Sequence, residues 1–262
     1  MQKLIAYSES GGVTKTTTAV GLAATCAMAG KSVLMIDLDP RAASTKWLGV
    51  EPKGEGLHIG AILGNEDVEG WAEELAVETT WSPNLRMIPS ARSVSTMEGL
   101  RTDHAELRLA ASLVGLQADL VVIDCPNRQG GPLILSALNA ADTVVYAATA
   151  TEDGLDGVLG AQNSVRKFQA SRAAVGAPNN IHEAGIIVGA VADTVQSRIE
   201  RETLDEFDSI TGLNGQGLLL RPFVPARVIV KEMRVTHEWF GKYKKAQKVV
   251  DAYAALAEQV IR

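Results

Sequence analysis

The sequence predicts an α/β fold, a mostly parallel twisted sheet flanked by helices. Three observations predict it. Short β-branched and aliphatic runs alternate along the chain with helical stretches. Those runs are continuously apolar, as in strands covered on both faces. Finally, 46% of residues are hydrophobic but only 5% are aromatic, so Ala, Val, Leu and Ile must fill the core.

Taken in order, Leu4-Ile5-Ala6-Tyr7 reads as the first strand, followed by a glycine-rich turn and a helix over residues 16–29. Gly30 is placed to stop that helix in a left-handed cap. Further strands are predicted over residues 32–37, 84–89, 120–124, 143–147 and 186–191, with a last short one at 218–220. Residues 212–217 read as a glycine-rich surface turn. No repeat, low-complexity tract or linker interrupts the 262 residues, so one domain is predicted over 1–262, ending in a basic helix over about 241–261.

The net charge of −6 excludes a surface uniformly coated for nucleic acid, yet the charge is uneven. Residues 227–248 hold seven Lys or Arg against two Glu. Cys26 and Cys125 both lie in apolar runs and read as buried, unpaired thiols. The N-terminus lacks a basic start followed by a long apolar run, and the longest apolar-rich stretch, residues 20–29, is too short and too mixed to cross a bilayer. A cytoplasmic protein is expected.

Ligands of parallel sheets bind beyond the carboxyl ends of the strands, and here those ends carry Ser8, Asp37 and Asp124. Between the first strand and the first helix runs Ser8-Glu9-Ser10-Gly11-Gly12-Val13-Thr14-Lys15-Thr16-Thr17-Thr18. Glycines let a backbone curl so that several N–H groups face phosphate oxygens, and the helix start adds its positive dipole end. Gly11, Gly12, Val13, Thr14, Lys15, Thr16 and Thr17 are therefore candidate nucleotide-binding residues. Lys15 is placed to reach the terminal phosphates and the Thr16 hydroxyl to ligate Mg²⁺. The general phosphate-loop pattern has Gly immediately before the Lys, and this chain has Thr14. A Thr there either avoids the left-handed conformation that Gly tolerates or sits strained in it. Asp37-Leu38-Asp39-Pro40 ends the second strand with two carboxylates on one side of an extended segment. Asp124 closes Leu120-Val121-Val122-Ile123, four apolar residues ending in one carboxylate, a pattern that holds Mg²⁺ through water. A loop follows through Cys125-Pro126-Asn127 to Gly130-Gly131, suited to sensing a γ-phosphate.

Together, residues 11–20, 33–40 and 120–126 resemble the ParA partition ATPases of the deviant-Walker P-loop class, which also includes the MinD division-site ATPases. Weaker echoes at residues 88–90, 97–98, 137–142 and 224–225 extend the resemblance from about residue 3 to residue 258. It implies a weak ATPase that takes ATP and Mg²⁺, dimerises on nucleotide and binds nonspecific DNA. A ParB-like, centromere-bound partner would stimulate it, and the protein would be nucleoid-associated with no membrane contact. Carried over by motif, Lys15 would hold the β- and γ-phosphates, Asp39 would orient the attacking water, and Pro225 would lie near the base. Asp37 and Asp124 would join Thr16 in supporting the metal shell.

The chain departs from that pattern in three places. The signature Lys that reaches across the dimer falls at Ser10, Thr14 replaces a Gly, and Val191-Ala192-Asp193-Thr194 lacks the usual Asn. Arg41 is a candidate replacement cation. At the C-terminus Lys242, Lys244, Lys245 and Lys248 are predicted to begin a helix whose other face is Ala246, Val249, Val250, Tyr253, Leu256, Ala257 and Val260. With Lys231 and Arg234 they form the candidate DNA-backbone surface. Trp239 and Phe240 read as core residues. Two rival functions remain open at this point, a non-hydrolysing nucleotide-binding DNA scaffold or repressor and a MinD-like membrane-cycling ATPase.

Overall fold

The computed structural model describes residues 1–99, 102–178, 181–192 and 197–262. Seven strands form one sheet in the order β3-β4-β2-β5-β1-β6-β7. They are β1 (Gln2–Tyr7), β2 (Val33–Asp37), β3 (Val77–Glu78), β4 (Leu85–Ile88), β5 (Leu120–Asp124), β6 (Thr143–Ala148) and β7 (His182–Val188). All neighbours pair in parallel except the two-residue edge strand β3, which runs antiparallel to β4. The helices are α1 (Lys15–Met28), α2 (Ala43–Leu48), α3 (Ile59–Gly64), α4 (Trp71–Leu75), α5 (Arg108–Ser112), α6 (Pro132–Ala140), α7 (Glu152–Ala174), α8 (Arg198–Ser209), α9 (Val228–Thr236) and α10 (Gln247–Val260).

Side chains alternate across each strand, so a continuously apolar strand feeds two cores. Leu4, Met35, Val122 and Val145 pack with α1 and α10 on one face. Ile5, Ile36, Ile123 and Val144 pack with α3, α5, α6 and α7 on the other. The small residues of α1 let it lie deep against the sheet. Gly21 lets α10 come close to α1: a Cβ there would stand 2.4 Å from the ring of Tyr253 on α10. Gly30 has φ +93, the left-handed stop expected from the sequence. Cys26 and Cys125 are buried and unpaired.

Three expectations need correction. The strand predicted at 186–191 is β7, His182–Val188, which begins and ends earlier. Its polar start is held by pairing: the buried Glu183 accepts hydrogen bonds from the Tyr146 hydroxyl at 2.9 Å, Gln162 Nε2 at 3.1 Å and the Leu213 backbone at 3.0 Å. Beyond it Ala190 turns the chain at φ +58. Residues 218–220 form only an isolated parallel bridge, Leu219 to Ile186, although 212–217 does close a tight turn through Gly212 N to Gln216 O at 2.9 Å. The basic C-terminal helix starts at Gln247, well inside the predicted 241–261. Lys242 and Lys244-Lys245 lie on two short 3-10 turns separated by Tyr243, whose extended backbone (φ −110, ψ 125) interrupts the helix. Only Lys248 is on α10, so helical spacing does not align it with Lys244. The predicted apolar face of α10 is buried, with Val250 partly so, and Trp239 and Phe240 are in the core.

Candidate phosphate-binding site

The strand register assembles the site. In the order β2-β5-β1, Asp37 stands opposite Asp124, and Asp124 opposite Ala6. The loop after β1 therefore emerges beside two acidic strand ends. It curls through Gly12 at φ +76 and Thr14 at φ +65, then enters α1 at Lys15, which is buried. Gly11 passes under the Asn127 side chain, whose nitrogen would be 2.9 Å from any Cβ at residue 11. On the other side the loop rests on α7. Glu9 N donates to the Gly157 carbonyl at 3.1 Å, and a Cβ at residue 157 would meet Ser8 Oγ at 2.5 Å and the Ser10 side chain at 2.8 Å.

The two buried aspartates differ. Asp37 accepts from Asp39 N at 3.0 Å through one oxygen, and from Thr45 N at 3.0 Å and the Thr45 hydroxyl at 2.8 Å through the other. It organises the segment from Asp39 to α2. Asp39 in turn accepts from Arg41 N at 2.9 Å. Asp124 is fully buried, and neither of its oxygens accepts a hydrogen bond of full geometry, although the Thr16 and Ser44 hydroxyls act on it from nearby. Burial pushes the Asp124 carboxyl up to about 7 and the Asp37 charge adds to that, while the Lys15 ammonium and the Thr16 and Ser44 hydroxyls draw it back. Burial likewise pushes Asp37 up to about 6, against the bonds from Thr45 that favour its charged form. Two open carboxylate oxygens beside a buried Lys and a glycine-curled helix start suit a hydrated divalent cation bound with a polyphosphate.

The structure brings Gly11, Gly12, Val13, Thr14, Lys15, Thr16, Asp37, Asp39 and Asp124 to this end of the sheet. Thr17 follows on the first turn of α1. Pro225 bridges to Val191, just past the end of β7, so it borders the same carboxyl end. Arg41 is exposed next to Asp39. Asp193 and Thr194 lie outside the described residues. Sequence reasoning missed Thr45 and Ser44, which meet the site only through folding, whereas Asn127 lies on the loop singled out for sensing a γ-phosphate.

The cationic residues form a separate surface. Lys231 and Arg234 on α9, Lys242, Lys244 and Lys245 on the short turns, and Lys248 on α10 are all exposed. This surface is joined to the site through α2. The Arg234 guanidinium lies 5.7 Å over the Trp47 ring, and Trp47 packs on Trp81 and Phe240. His237 Nδ1 donates to the Lys46 carbonyl, and the Trp81 indole donates to the His237 carbonyl at 2.8 Å.

The chain is similar to several known proteins. Residues 1–175 match a family described as an AAA domain. The sporulation initiation inhibitor protein Soj of Bacillus subtilis is 34% identical over 175 residues, 64% of this chain and 67% of Soj. The chromosome partitioning protein ParA of Myxococcus xanthus is 33% identical over 156 residues, 58% of this chain and 53% of that protein. The chain thus spans between about half and two thirds of these curated relatives. An ATP complex of Cyanothece McdA superposes with a TM-score of 0.82 at 20% identity, covering 99% of this chain and 96% of that one. With the family match covering most of the chain and Soj and ParA among its relatives, this chain belongs to the ParA/MinD family of P-loop partition ATPases.

Proposed function

We propose that this chain binds ATP with Mg²⁺, hydrolyses it slowly, and uses the nucleotide-bound dimer to hold nonspecific DNA. The observation that carries the reading is Asp124, a buried carboxylate with both oxygens open beside Lys15 and the phosphate loop. Backbone N–H groups from Gly11 to Thr17 cradle the phosphates, and the Lys15 ammonium neutralises their terminal charge. The Thr16 hydroxyl and Asp124 would hold the metal, and Asp37 keeps Asp39 and α2 in place behind them. Bound Mg²⁺ supplies charge neutralisation at the phosphates. Asp39 orients the attacking water, and Pro225 with Val191 borders the base. Lys231, Arg234, Lys242, Lys244, Lys245 and Lys248 contact DNA phosphates without reading sequence. A ParB-like centromere-binding protein is the proposed stimulating partner, and the proposed location is cytoplasmic and nucleoid-associated. Among the described residues no helix is long and apolar enough to cross a membrane.

DNA binding by the purified protein with ATP, ADP or no nucleotide, at two salt concentrations, tests this reading. ATP-dependent, salt-sensitive binding is expected, together with turnover that Asp39→Ala abolishes. Absence of DNA binding in every state overturns it.

A second reading is favoured by Ser10. It occupies the signature-lysine position with its side chain against α7 at Gly157, where it offers no charge to a partner's phosphates. The protein would then be a nucleotide-binding DNA scaffold without hydrolysis. Binding that ignores nucleotide, with no measurable turnover, would select it.

A further inference from the structure

Thr14 stands where the phosphate-loop pattern has Gly, and it adopts the conformation that a Gly would have, φ 65 and ψ 10. A β-branched side chain is disfavoured there by contact between its Cβ and the backbone. Strain of this kind persists only where the surroundings over-determine it.

The surroundings do so here. A Thr at a helix start ordinarily sits in the extended region and caps the first turn with its hydroxyl. Thr14 makes no such cap. Its hydroxyl donates instead to the Ala148 carbonyl, the last residue of β6, at 3.1 Å. The same carbonyl accepts Gly189 N, the first residue beyond β7, at 2.8 Å. Residue 189 has no side chain, and the Thr14 side chain fills that space. A Cβ at 189 would stand 2.7 Å from Thr14 Oγ1 and 3.1 Å from its Cβ and Cγ2. The Thr14 carbonyl meanwhile accepts Thr18 N at 2.8 Å in the first turn of α1. One residue thus ties the start of α1 to the exits of two strands, and two residues past Gly189 lies Val191, which bridges to Pro225.

We infer that Thr14 is a positioning residue that holds the phosphate loop in its binding conformation before nucleotide arrives. Gly at this position would reach the same φ and ψ but also many others, and its ordering would be charged to each binding event. The Thr14 hydroxyl and its fit against Gly189 remove that cost in advance, outweighing the strain of a left-handed Thr. This inference rests on the site being a nucleotide site.

The test compares wild type with Thr14→Gly, Thr14→Ser, Gly189→Ala and the double variant Thr14→Gly/Gly189→Ala. Affinities for ATP and for inorganic triphosphate are measured by calorimetry, with KM and kcat for ATP alongside. Thr14→Gly is expected to weaken both ligands about tenfold and raise KM correspondingly, with kcat changed less than twofold. Thr14→Ser keeps the hydroxyl and should bind within threefold of wild type. Gly189→Ala, which displaces the Thr14 side chain, should weaken binding like Thr14→Gly, and should cost nothing further when Thr14 is already Gly. A Thr14→Gly variant that binds as tightly as wild type overturns the inference, as does a Thr14→Ser variant no better than Thr14→Gly, or additive losses in the double variant. Wild-type protein that binds neither ligand instead overturns the nucleotide-site reading itself.

Discussion

Replacing Asp124 by Asn should separate stability from function at one buried atom. The carboxyl accepts no hydrogen bond of full geometry, and burial with the adjacent Asp37 charge raises it from an ordinary 3.8 to about 7. A group so raised is neutral in the folded state over a range where the unfolded chain is ionised. Its destabilising effect is therefore absent below pH 4, grows between pH 4 and 7, and is complete above 7. At 1.36 kcal/mol per pH unit the ceiling is roughly 4 kcal/mol, and water entering the open site lowers it to about 2 to 4. Asn is neutral, has nearly the same shape, and escapes the effect at every pH. In urea unfolding without nucleotide and with a metal chelator, Asp124→Asn should match wild type within about 1 kcal/mol at pH 4.5 and exceed it by about 2 to 4 kcal/mol at pH 8. Turnover with Mg·ATP should fall at least about 100-fold, because the metal would lose the carboxylate at the end of β5. A variant no more stable at pH 8, or equally shifted at both pH values, would refute the account.

Other perturbations have equally definite outcomes. Lys15→Ala should leave the fold intact and abolish ATP binding in calorimetry, since it removes the buried charge at the loop. Lys244→Ala with Lys245→Ala should weaken DNA binding equally across sequences and reduce the salt slope by about 1 per lysine that touches a phosphate; an unchanged slope would remove these two residues from the DNA surface. Gly21→Ala should destabilise by about 1–3 kcal/mol in thermal or urea melts, since the new methyl meets the buried Tyr253 ring between α1 and α10.

The residues that were legible in the sequence are those whose local neighbourhood decides their state. The apolar runs of β1, β2, β5 and β6 announce themselves because both faces are buried, and Gly30 stops α1 by its own conformational freedom. The first half of β7 was hidden because Glu183 is polar in isolation and acceptable only once Tyr146, Gln162 and Leu213 surround it. Helix α9 was missed for a similar reason. Of its nine residues only Met233 is buried, and its place depends on the tryptophan cluster it meets from distant parts of the chain. In the site, the spacing of Asp37, Asp39 and Asp124 was visible but their difference was not. Thr45 satisfies Asp37 from the next helix with full hydrogen bonds, whereas Asp124 has only the looser approach of the Thr16 and Ser44 hydroxyls. At Thr14 the sequence posed two alternatives, avoidance or strain, and the answer depends on Gly189, 175 positions away in the chain.

The packing of α2 against α9 also has an optical consequence. The chain has four tryptophans, and Trp47, Trp81 and Trp239 belong to one aromatic cluster while Trp71 sits apart on α4. Trp47 is two residues from Thr45, which is bonded to Asp37, and its ring lies beneath the Arg234 guanidinium. Excitation near 295 nm (roughly the red edge of indole absorption) therefore reports chiefly on the junction between the acidic strand ends and the cationic surface. Intrinsic emission offers a label-free signal for whether events at the phosphate loop reach α9, with no dye placed in either surface.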